Sequence, residues 1–241
     1  MRHLDVRLTR SASFSALIVL IVAAGDLQAQ HYRHDRNQAR SVLGFQFIWV
    51  EPQGEFGYFV EDGFGMSGHA VFNLGRKGIV GLRLDGTFIV YGHEHFSQPL
   101  SPTIPRIWVD VTTDNIIGSG FIGPQITLGH GALRPYVHGG FGFSYFATNS
   151  SVDGDPYYYH SLGSTNFDDL APALTGGGGL YLALSRRVLL DMSAQYMHTG
   201  RVEYMREGGI YEDPDGSLWF EVLESEVSLW MWKLGVSFAI G

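Results

Sequence analysis

The sequence contains no cysteine and few charged residues. None of its 241 residues is Cys, so the fold is stable without disulfides. Charged residues make up 17% of the chain, against about 25% in an ordinary soluble domain. After residue 24 no apolar run approaches the ~20 residues that a membrane-spanning helix needs. These absences argue against a disulfide-rich secreted domain and against a helical membrane protein.

Basic residues are also too few for a phosphate-binding surface. The formal net charge is −8 at pH 7, whereas proteins that bind nucleic acid present basic surfaces, so we expect no nucleic-acid partner. What the chain does have is 14% aromatic residues and 32 glycines, at a mean hydropathy of +0.02. Low charge, abundant Gly and aromatics, and average hydropathy suit a membrane β-barrel, whose lipid-facing side chains are diluted by polar lumenal ones.

The N-terminus has the composition of an export signal. A basic start is followed by an apolar core over residues 14–24 and by a small residue at Ala29. We therefore predict a signal peptide over residues 1–29, with cleavage after Ala24 and an uncleaved anchor as alternatives. Residues 30–40 are predicted to be a short periplasmic segment, and residues 41–241 the barrel domain.

Apolar residues alternate with small or polar residues in eight segments after residue 42. In the clearest segment Val80, Leu82 and Leu84 share one face, while Arg83 and Asp85 share the other. A period of two is that of a β-strand. The same pattern fits a soluble barrel with an apolar interior and a membrane barrel with an apolar exterior, so periodicity alone does not separate the two.

The connections between the segments favour the membrane barrel. Three connections are short, at residues 75–78, 129–134 and 185–187. Four are long, at residues 51–62, 92–115, 147–170 and 201–225. Strict alternation of short and long connections is typical of outer-membrane barrels, with their periplasmic turns and extracellular loops. We predict an all-β fold, an eight-stranded antiparallel up-and-down transmembrane β-barrel, with a bulge at Pro124 because proline removes one ladder hydrogen bond.

The alternation assigns side chains to the lumen and to the lipid. Because eight strands enclose only enough space for side chains, the lumen is expected to be a plug of packed polar groups. Pairing among its acids and bases would avoid unpaired buried charge. The lumenal polar residues are Gln46, His69, Arg83, Asp85, Gln125, His138, Asp191, Gln195 and Lys233. The lipid-facing aromatics are Phe45, Phe47, Trp49, Phe72, Phe88, Phe141, Phe143, Tyr145, Tyr196, Trp230, Trp232 and Phe238.

The architecture and the aromatic last strand, LWMWKLGVSF, together resemble the small OmpA-type outer-membrane β-barrels. The resemblance covers residues 41–240. It implies a location in the bacterial outer membrane, insertion by the barrel-assembly machinery, and contact with outer-membrane lipids and lipopolysaccharide. In that family the last strand usually ends in Phe, whereas Ala239, Ile240 and Gly241 follow Phe238 here.

Three functions are compatible with such a barrel. The leading hypothesis is a non-enzymatic structural or surface-interaction protein that binds an extracellular ligand through its loops. The second is a narrow or gated channel. The third is a lipid A-modifying enzyme, since some eight-stranded barrels carry a Ser and a His near the outer rim. His198 lies in YMHTG, but Gly200 occupies the place of the serine in the deacylase pattern, so no catalytic residue is predicted.

No motif indicates a metal or a cofactor. His93 and His95 are two residues apart with Glu94 between them, but no third ligand is evident. The acidic runs at residues 153–156 and 212–216 do not match the spacing of an EF-hand. The histidine pair and the acidic runs are interpreted as parts of solvated loops. The tyrosines at 157–159 are interpreted either as a contact surface for a partner or as side chains that pack within their own loop.

Overall fold

Eight antiparallel strands close into a single barrel in which each strand pairs with its neighbours in chain order. The computed structural model describes residues 41–74, 78–99, 108–129, 131–153, 162–212 and 218–240, so the predicted signal peptide and residues 30–40 lie outside it. A short helix, α1 (Phe56–Phe59), follows the first strand. The strands are β1 (Ser41–Gln53), β2 (Gly63–Leu74), β3 (Val80–Pro99), β4 (Trp108–Thr127), β5 (Leu133–Asp153), β6 (Leu162–Ala183), β7 (Val188–Glu212) and β8 (Leu218–Ile240).

No helix in the described part of the chain is long and apolar enough to cross a membrane.

The first and last strands close the barrel. Their ladder runs from the pair Ser41–Ile240 to the pair Gln53–Ser228 without a break in register. Both ends of the barrel sequence therefore lie at one end of the molecule, which we call the lower end. Closure leaves no sheet edge along this seam, so the backbone groups of β1 and β8 are paired on both sides.

The short turns lie at the lower end, as the sequence predicts. They join β2 to β3, β4 to β5 and β6 to β7. Gly78 and Gly129 have positive φ angles of 56° and 82° in the first two turns, a conformation that glycine adopts without steric cost. The eight-stranded up-and-down fold and the position of its tight turns are thus confirmed.

At the opposite, upper end, three of the four predicted loops are wrong. The described residues within 92–115, 147–170 and 201–225 are mostly strand. The two strands of each hairpin continue to pair with each other above the barrel. The β3–β4 ladder extends to the pair Pro99–Trp108, and the β7–β8 ladder to the pair Glu212–Leu218. Residues 51–62 contain the end of β1 and helix α1. The upper end therefore carries tall hairpins.

The hairpins are not all joined to one another. The β6–β7 ladder ends at the pair Ala173–Thr199, although β5–β6 and β7–β8 continue above it. Above that point the backbone N–H of Glu203 donates to Asp169 Oδ2 at 2.9 Å. Among the described residues, the wall is thus split between β6 and β7 at its upper end.

The bulge predicted at Pro124 is wrong. Pro124 pairs with Leu82 in the β3–β4 ladder. On the β5 side the pairing passes over Gly123 and Pro124 and resumes in the same register. The missing N–H thus leaves a gap in pairing but inserts no extra residue. Register shifts occur instead near the upper end, at Val90/Gly92, Thr148/Asn149, His198/Arg201 and Met205/Ile210.

Polarity along β1 reverses near its upper end. On β1, Phe45, Phe47 and Trp49 face outward, and the next two outward residues are Glu51 and Gln53. The inward residues change in the opposite sense on the same strand, from Gln46 to Ile48 and Val50. An apolar outer surface with a polar interior is expected where lipid surrounds the barrel. A polar outer surface with an apolar interior is expected where water surrounds the barrel.

A charge placed on the apolar outer surface should destabilise the barrel according to its depth. Leu84 is 40% exposed midway along the apolar part of β3. We expect Leu84→Arg to lower the free energy of unfolding in lipid vesicles by about 2–4 kcal/mol. Leu184→Arg, at the lower rim, is the matched control and should cost about 0–1 kcal/mol. Equal losses in urea titrations of the two variants would contradict a lipid-facing surface.

Candidate functional site

The lower half of the lumen is lined mainly by polar side chains, with a small apolar cluster at its lower end formed by Val42, Val71, Tyr136, Tyr181 and Leu189. All nine side chains predicted to line it are buried: Gln46, His69, Arg83, Asp85, Gln125, His138, Asp191, Gln195 and Lys233. They come from seven strands and project into the same layer, because inward positions alternate along every strand. The structure therefore brings the predicted set together in the interior.

Arg83, Asp85 and Lys233 form an ion cluster within this layer. The Arg83 guanidinium donates to the Asp85 carboxylate through Nε and to Gln125 Oε1 through Nη1, the latter at 2.8 Å. Lys233 Nζ lies 3.7 Å from Asp85 Oδ1. One carboxylate thus neutralises part of the charge of two cations, and burial of an ion pair requires such compensation.

Asp191, the fourth charge expected in the pairing, has different partners. Its carboxylate accepts hydrogen bonds from Tyr136 Oη at 2.7 Å and from Ser237 Oγ at 2.9 Å. His69 Nε2 lies 3.4 Å from the same carboxylate. The expectation that Asp191 pairs with Arg83 or Lys233 is therefore wrong. Neutral hydroxyl donors stabilise a buried carboxylate when they satisfy its oxygens.

Glycines facing the lumen make room for these large side chains. A Cβ added at Gly44 would overlap with the His69 imidazole, and one at Gly179 would overlap with the Tyr136 ring. Tyr136 in turn stacks on Tyr181, with ring centroids 4.4 Å apart. The lower lumen is thus filled by alternating very small and very large side chains, as in other small barrels.

The upper half of the lumen is filled mainly by apolar side chains, so the expectation of a wholly polar plug is wrong. Ile48, Ile89, Ile117, Met197 and Met231 are all fully buried and belong to one apolar cluster that continues upward into the hairpins.

Buried polar side chains in the upper lumen bond to one another. Ser119 Oγ lies 2.8 Å from Ser144 Oγ, and Thr148 Oγ1 donates to Asn115 Oδ1 at 2.7 Å. Above the lipid layer water surrounds the wall, so burial of apolar side chains inside the wall is favourable there.

Helix α1 and the upper part of β7 close the mouth of the barrel. Phe56 packs edge-on against Tyr91 and Tyr204, with ring centroids 5.5 Å and 4.9 Å apart. The Tyr91 hydroxyl donates to the Met205 carbonyl oxygen at 3.2 Å, which fixes β7 across the mouth. Burial raises the pKa of the Tyr204 phenol above its ordinary value, so this side chain is neutral at pH 7. We call these four residues the mouth plug.

The outward aromatics form the apolar surface of the wall. Ten of the twelve predicted ones are exposed, whereas Tyr196 and Trp232 are half-buried. Trp230 contacts both of these, at centroid distances of 5.2 Å and 6.2 Å. Trp49, Tyr196 and Trp230 lie at the level where polarity reverses. Aromatic side chains are enriched at such membrane–water interfaces, and we call these three residues the aromatic girdle.

A closed ladder, an apolar outer surface and tall hairpins at one end are together the features of a transmembrane β-barrel. This chain has the fold of an eight-stranded outer-membrane β-barrel. In such barrels the end with the short turns is periplasmic and the opposite end is extracellular, and we name the lower and upper ends accordingly.

Solved structures of other outer-membrane proteins are similar to this barrel. Neisserial surface protein A is 14% identical, with 85% of this chain and 99% of that chain covered and a TM-score of 0.43. OprG from Pseudomonas aeruginosa is 14% identical, with coverages of 84% and 96% and a TM-score of 0.41. A major outer membrane protein from Thermus thermophilus is 11% identical, with coverages of 81% and 98% and a TM-score of 0.45. No protein-family model and no curated protein sequence matches the chain.

The histidines considered as metal ligands lie on the extracellular part of β3. His93 Nδ1 is 2.6 Å from Asp114 Oδ1 on β4, so this histidine has a cross-strand carboxylate partner. Within the described part of the barrel, no three His, Cys, Asp or Glu side chains are placed to hold a metal ion. The acidic runs at 153–156 and 212–216 fall almost entirely outside the described residues.

A serine next to His198 is the feature that sequence reasoning missed. His198 Nδ1 lies 2.8 Å from Ser228 Oγ, which faces it across the β7–β8 ladder. Along the sequence, the serine place of the deacylase pattern falls on Gly200, two residues from the histidine. The signal in the sequence is that Ser228 is an outward position of β8, two residues above Trp230; which β7 residue it faces depends on the hairpin register.

Removing the shared carboxylate of the ion cluster should destabilise the barrel. In Asp85→Leu, Arg83 and Lys233 remain buried without their counter-ion, at a cost of about 3–5 kcal/mol. Glu224→Gln is the control, because its pair with Arg201 at 3.6 Å is exposed and such pairs contribute at most about 1 kcal/mol. Both values are measured by urea unfolding in vesicles. Unchanged urea resistance in Asp85→Leu would show that the cluster is not a structural element.

Proposed function

We propose that the protein is a closed membrane platform that presents extracellular hairpins for contact with other surfaces. The observation that carries this proposal is the filling of the lumen at two levels. The ion cluster and its neighbours occupy the periplasmic half, and the apolar cluster with the mouth plug occupies the extracellular half. Barrels of eight strands hold packed side chains in this way. Because the filled lumen serves as a membrane anchor, the extracellular hairpins are the part of the protein that can contact other molecules.

The rival function, a narrow or gated channel, requires a polar path through the upper lumen. Ile48, Ile117 and Met231 are fully buried at that level, and an apolar constriction excludes ions by dewetting. The mouth plug adds a second closed layer above it. These two layers therefore support a closed lumen better than a channel.

The described extracellular surface is acidic. Glu61, Glu203, Glu224 and Glu226 are exposed there, and Arg201 is the exposed arginine among them. Among the described residues, the exposed charges at the periplasmic end are those of Arg186 and Arg187. Complementary charge accelerates encounter between surfaces. The partner that best fits this end of the barrel therefore carries a basic surface.

Conductance in planar lipid bilayers separates the platform from the channel. We expect the refolded wild-type barrel to insert without producing ion current, because buried apolar side chains fill much of the described upper lumen. A large porin in the same bilayers serves as the positive control. Regular, ohmic current steps that scale with the amount of inserted protein would overturn the closed-lumen proposal.

Binding of a cationic probe tests the proposed surface. Vesicles containing the wild-type barrel should bind polylysine, and the triple variant Glu61→Gln, Glu203→Gln, Glu224→Gln should bind it more weakly and with less dependence on salt. Arg186→Gln, at the periplasmic end, is the control and should leave binding from the extracellular side unchanged. Equal affinity of the triple variant and the wild type would rule out electrostatic recognition by these residues.

A further inference from the structure

Three polar side chains form a row on the outer wall just above the aromatic girdle. In the strand register Gln53 of β1 lies opposite Ser228 of β8, and Ser228 lies opposite His198 of β7. All three are partly exposed on the outward face. Side chains directly opposite on neighbouring strands have Cβ atoms about 4.5–5.5 Å apart. The serine is therefore flanked by a histidine on one side and an amide on the other.

The serine and the histidine are already in contact. Ser228 Oγ lies 2.8 Å from His198 Nδ1. A base activates a hydroxyl nucleophile over a distance of about 2.6–3.2 Å, and this contact is within that range. The structural alternative is a cross-strand hydrogen bond that only joins β7 to β8. Two further features of the surroundings favour a chemical role.

The first feature is local backbone geometry. The β7–β8 register shifts between His198 and Arg201, so that Thr199 and Gly200 together face Val227. Gly200 also lies beyond the last β6–β7 pair, and a Cβ there would meet no atom within 4 Å. Bulges of this kind are frequent beside active sites, where they re-aim side chains. The bulge therefore interrupts the regular ladder directly above the pair of His198 and Ser228.

The second feature is depth in the membrane. Tyr196 and Trp230 lie one outward position below His198 and Ser228 on the same strands, and Leu174, opposite His198 on β6, is 62% exposed. Aromatic girdles sit at the level of lipid headgroups. The ester groups that join acyl chains to headgroups would therefore lie at the level of Gln53, Ser228 and His198. The lipid's acyl chain would extend along the apolar outer wall below them.

We propose that Ser228 and His198 form an acyl-ester hydrolase site for membrane lipids on the outer wall of the barrel. Ser228 Oγ attacks the ester carbonyl carbon while His198 takes the hydroxyl proton. The carbon–oxygen bond of the leaving alcohol then breaks, and His198 returns the proton to that alcohol. Water, deprotonated by His198, hydrolyses the acyl-serine, which releases the fatty acid and restores Ser228.

Gln53 has the place of an oxyanion donor in this arrangement. Its amide nitrogen donates to the Glu51 carbonyl oxygen at 3.2 Å, and in the β1–β8 register Gln53 lies opposite Ser228. Glutamine and asparagine amides stabilise the charge that develops on a carbonyl oxygen. The activity is additional to the proposed platform role, because it uses the outer wall and leaves the closed lumen unchanged.

The test uses the refolded full-length barrel in mixed micelles of detergent and a phospholipid with a fluorogenic acyl chain. Wild-type protein should release the fatty acid and should be labelled by a fluorophosphonate on Ser228, as shown by peptide mass spectrometry. Ser228→Ala should abolish both signals, and His198→Gln should reduce both to near the background. Gln53→Ala should slow turnover by about 100-fold while labelling persists.

Ser185→Ala is the matched control, because Ser185 is exposed in a periplasmic turn at the other end of the barrel. It should keep full turnover and labelling. Heat-dependent mobility in SDS gels verifies that each variant is folded, so that a loss of activity is not a loss of the barrel. Folded wild-type protein that shows neither turnover nor labelling above Ser228→Ala would overturn the proposal, as would labelling that survives in Ser228→Ala.

Discussion

Pairing of every backbone amide within the hydrocarbon layer is the constraint on which the rest of this structure depends. Lipid offers no hydrogen-bond partner, so a strand in the membrane must be paired on both sides. The β1–β8 ladder meets this requirement by closing the sheet in register from Ser41 to Gln53. Closure with eight strands then fixes a narrow interior, which must be filled by side chains. The ion cluster, the small lumenal glycines and the apolar cluster are the consequence.

Because the strands extend above the membrane, a single sheet meets two solvents. The periplasmic part has the inverted polarity of a membrane barrel, and the extracellular part has the polarity of a soluble one. On β8 the outward residues change from Trp232 and Trp230 to Ser228, while the inward ones change from Lys233 to Met231 and Leu229. The aromatic girdle marks the level of this reversal. The mouth plug completes an apolar core that a purely transmembrane barrel would not need.

The transmembrane part could be predicted from the sequence better than the extracellular part, for a physical reason. Between Val80 and Asp85 the period of two is strict, so the inward position of Arg83 and Asp85 can be read directly. Above the girdle many outward residues are polar, so the sequence predicts loops in stretches such as residues 92–115, of which 92–99 and 108–115 pair as a hairpin. The sequence shows Ser228 as an outward position of β8, but its contact with His198 depends on the β7–β8 register, which two bulges shift relative to the hairpin tip.

The split between β6 and β7 has a mechanical consequence for the extracellular end. Within the described residues, the β3–β6 sheet and the β7–β8 hairpin share ladder pairs only below Ala173 and Thr199. Above that level the two parts are linked through side chains: the Glu203 backbone N–H donates to Asp169, and the Tyr91 hydroxyl donates to the Met205 carbonyl oxygen. A displacement of one part is therefore transmitted to the other by these side-chain contacts and not by paired backbone. The barrel below keeps a continuous ladder.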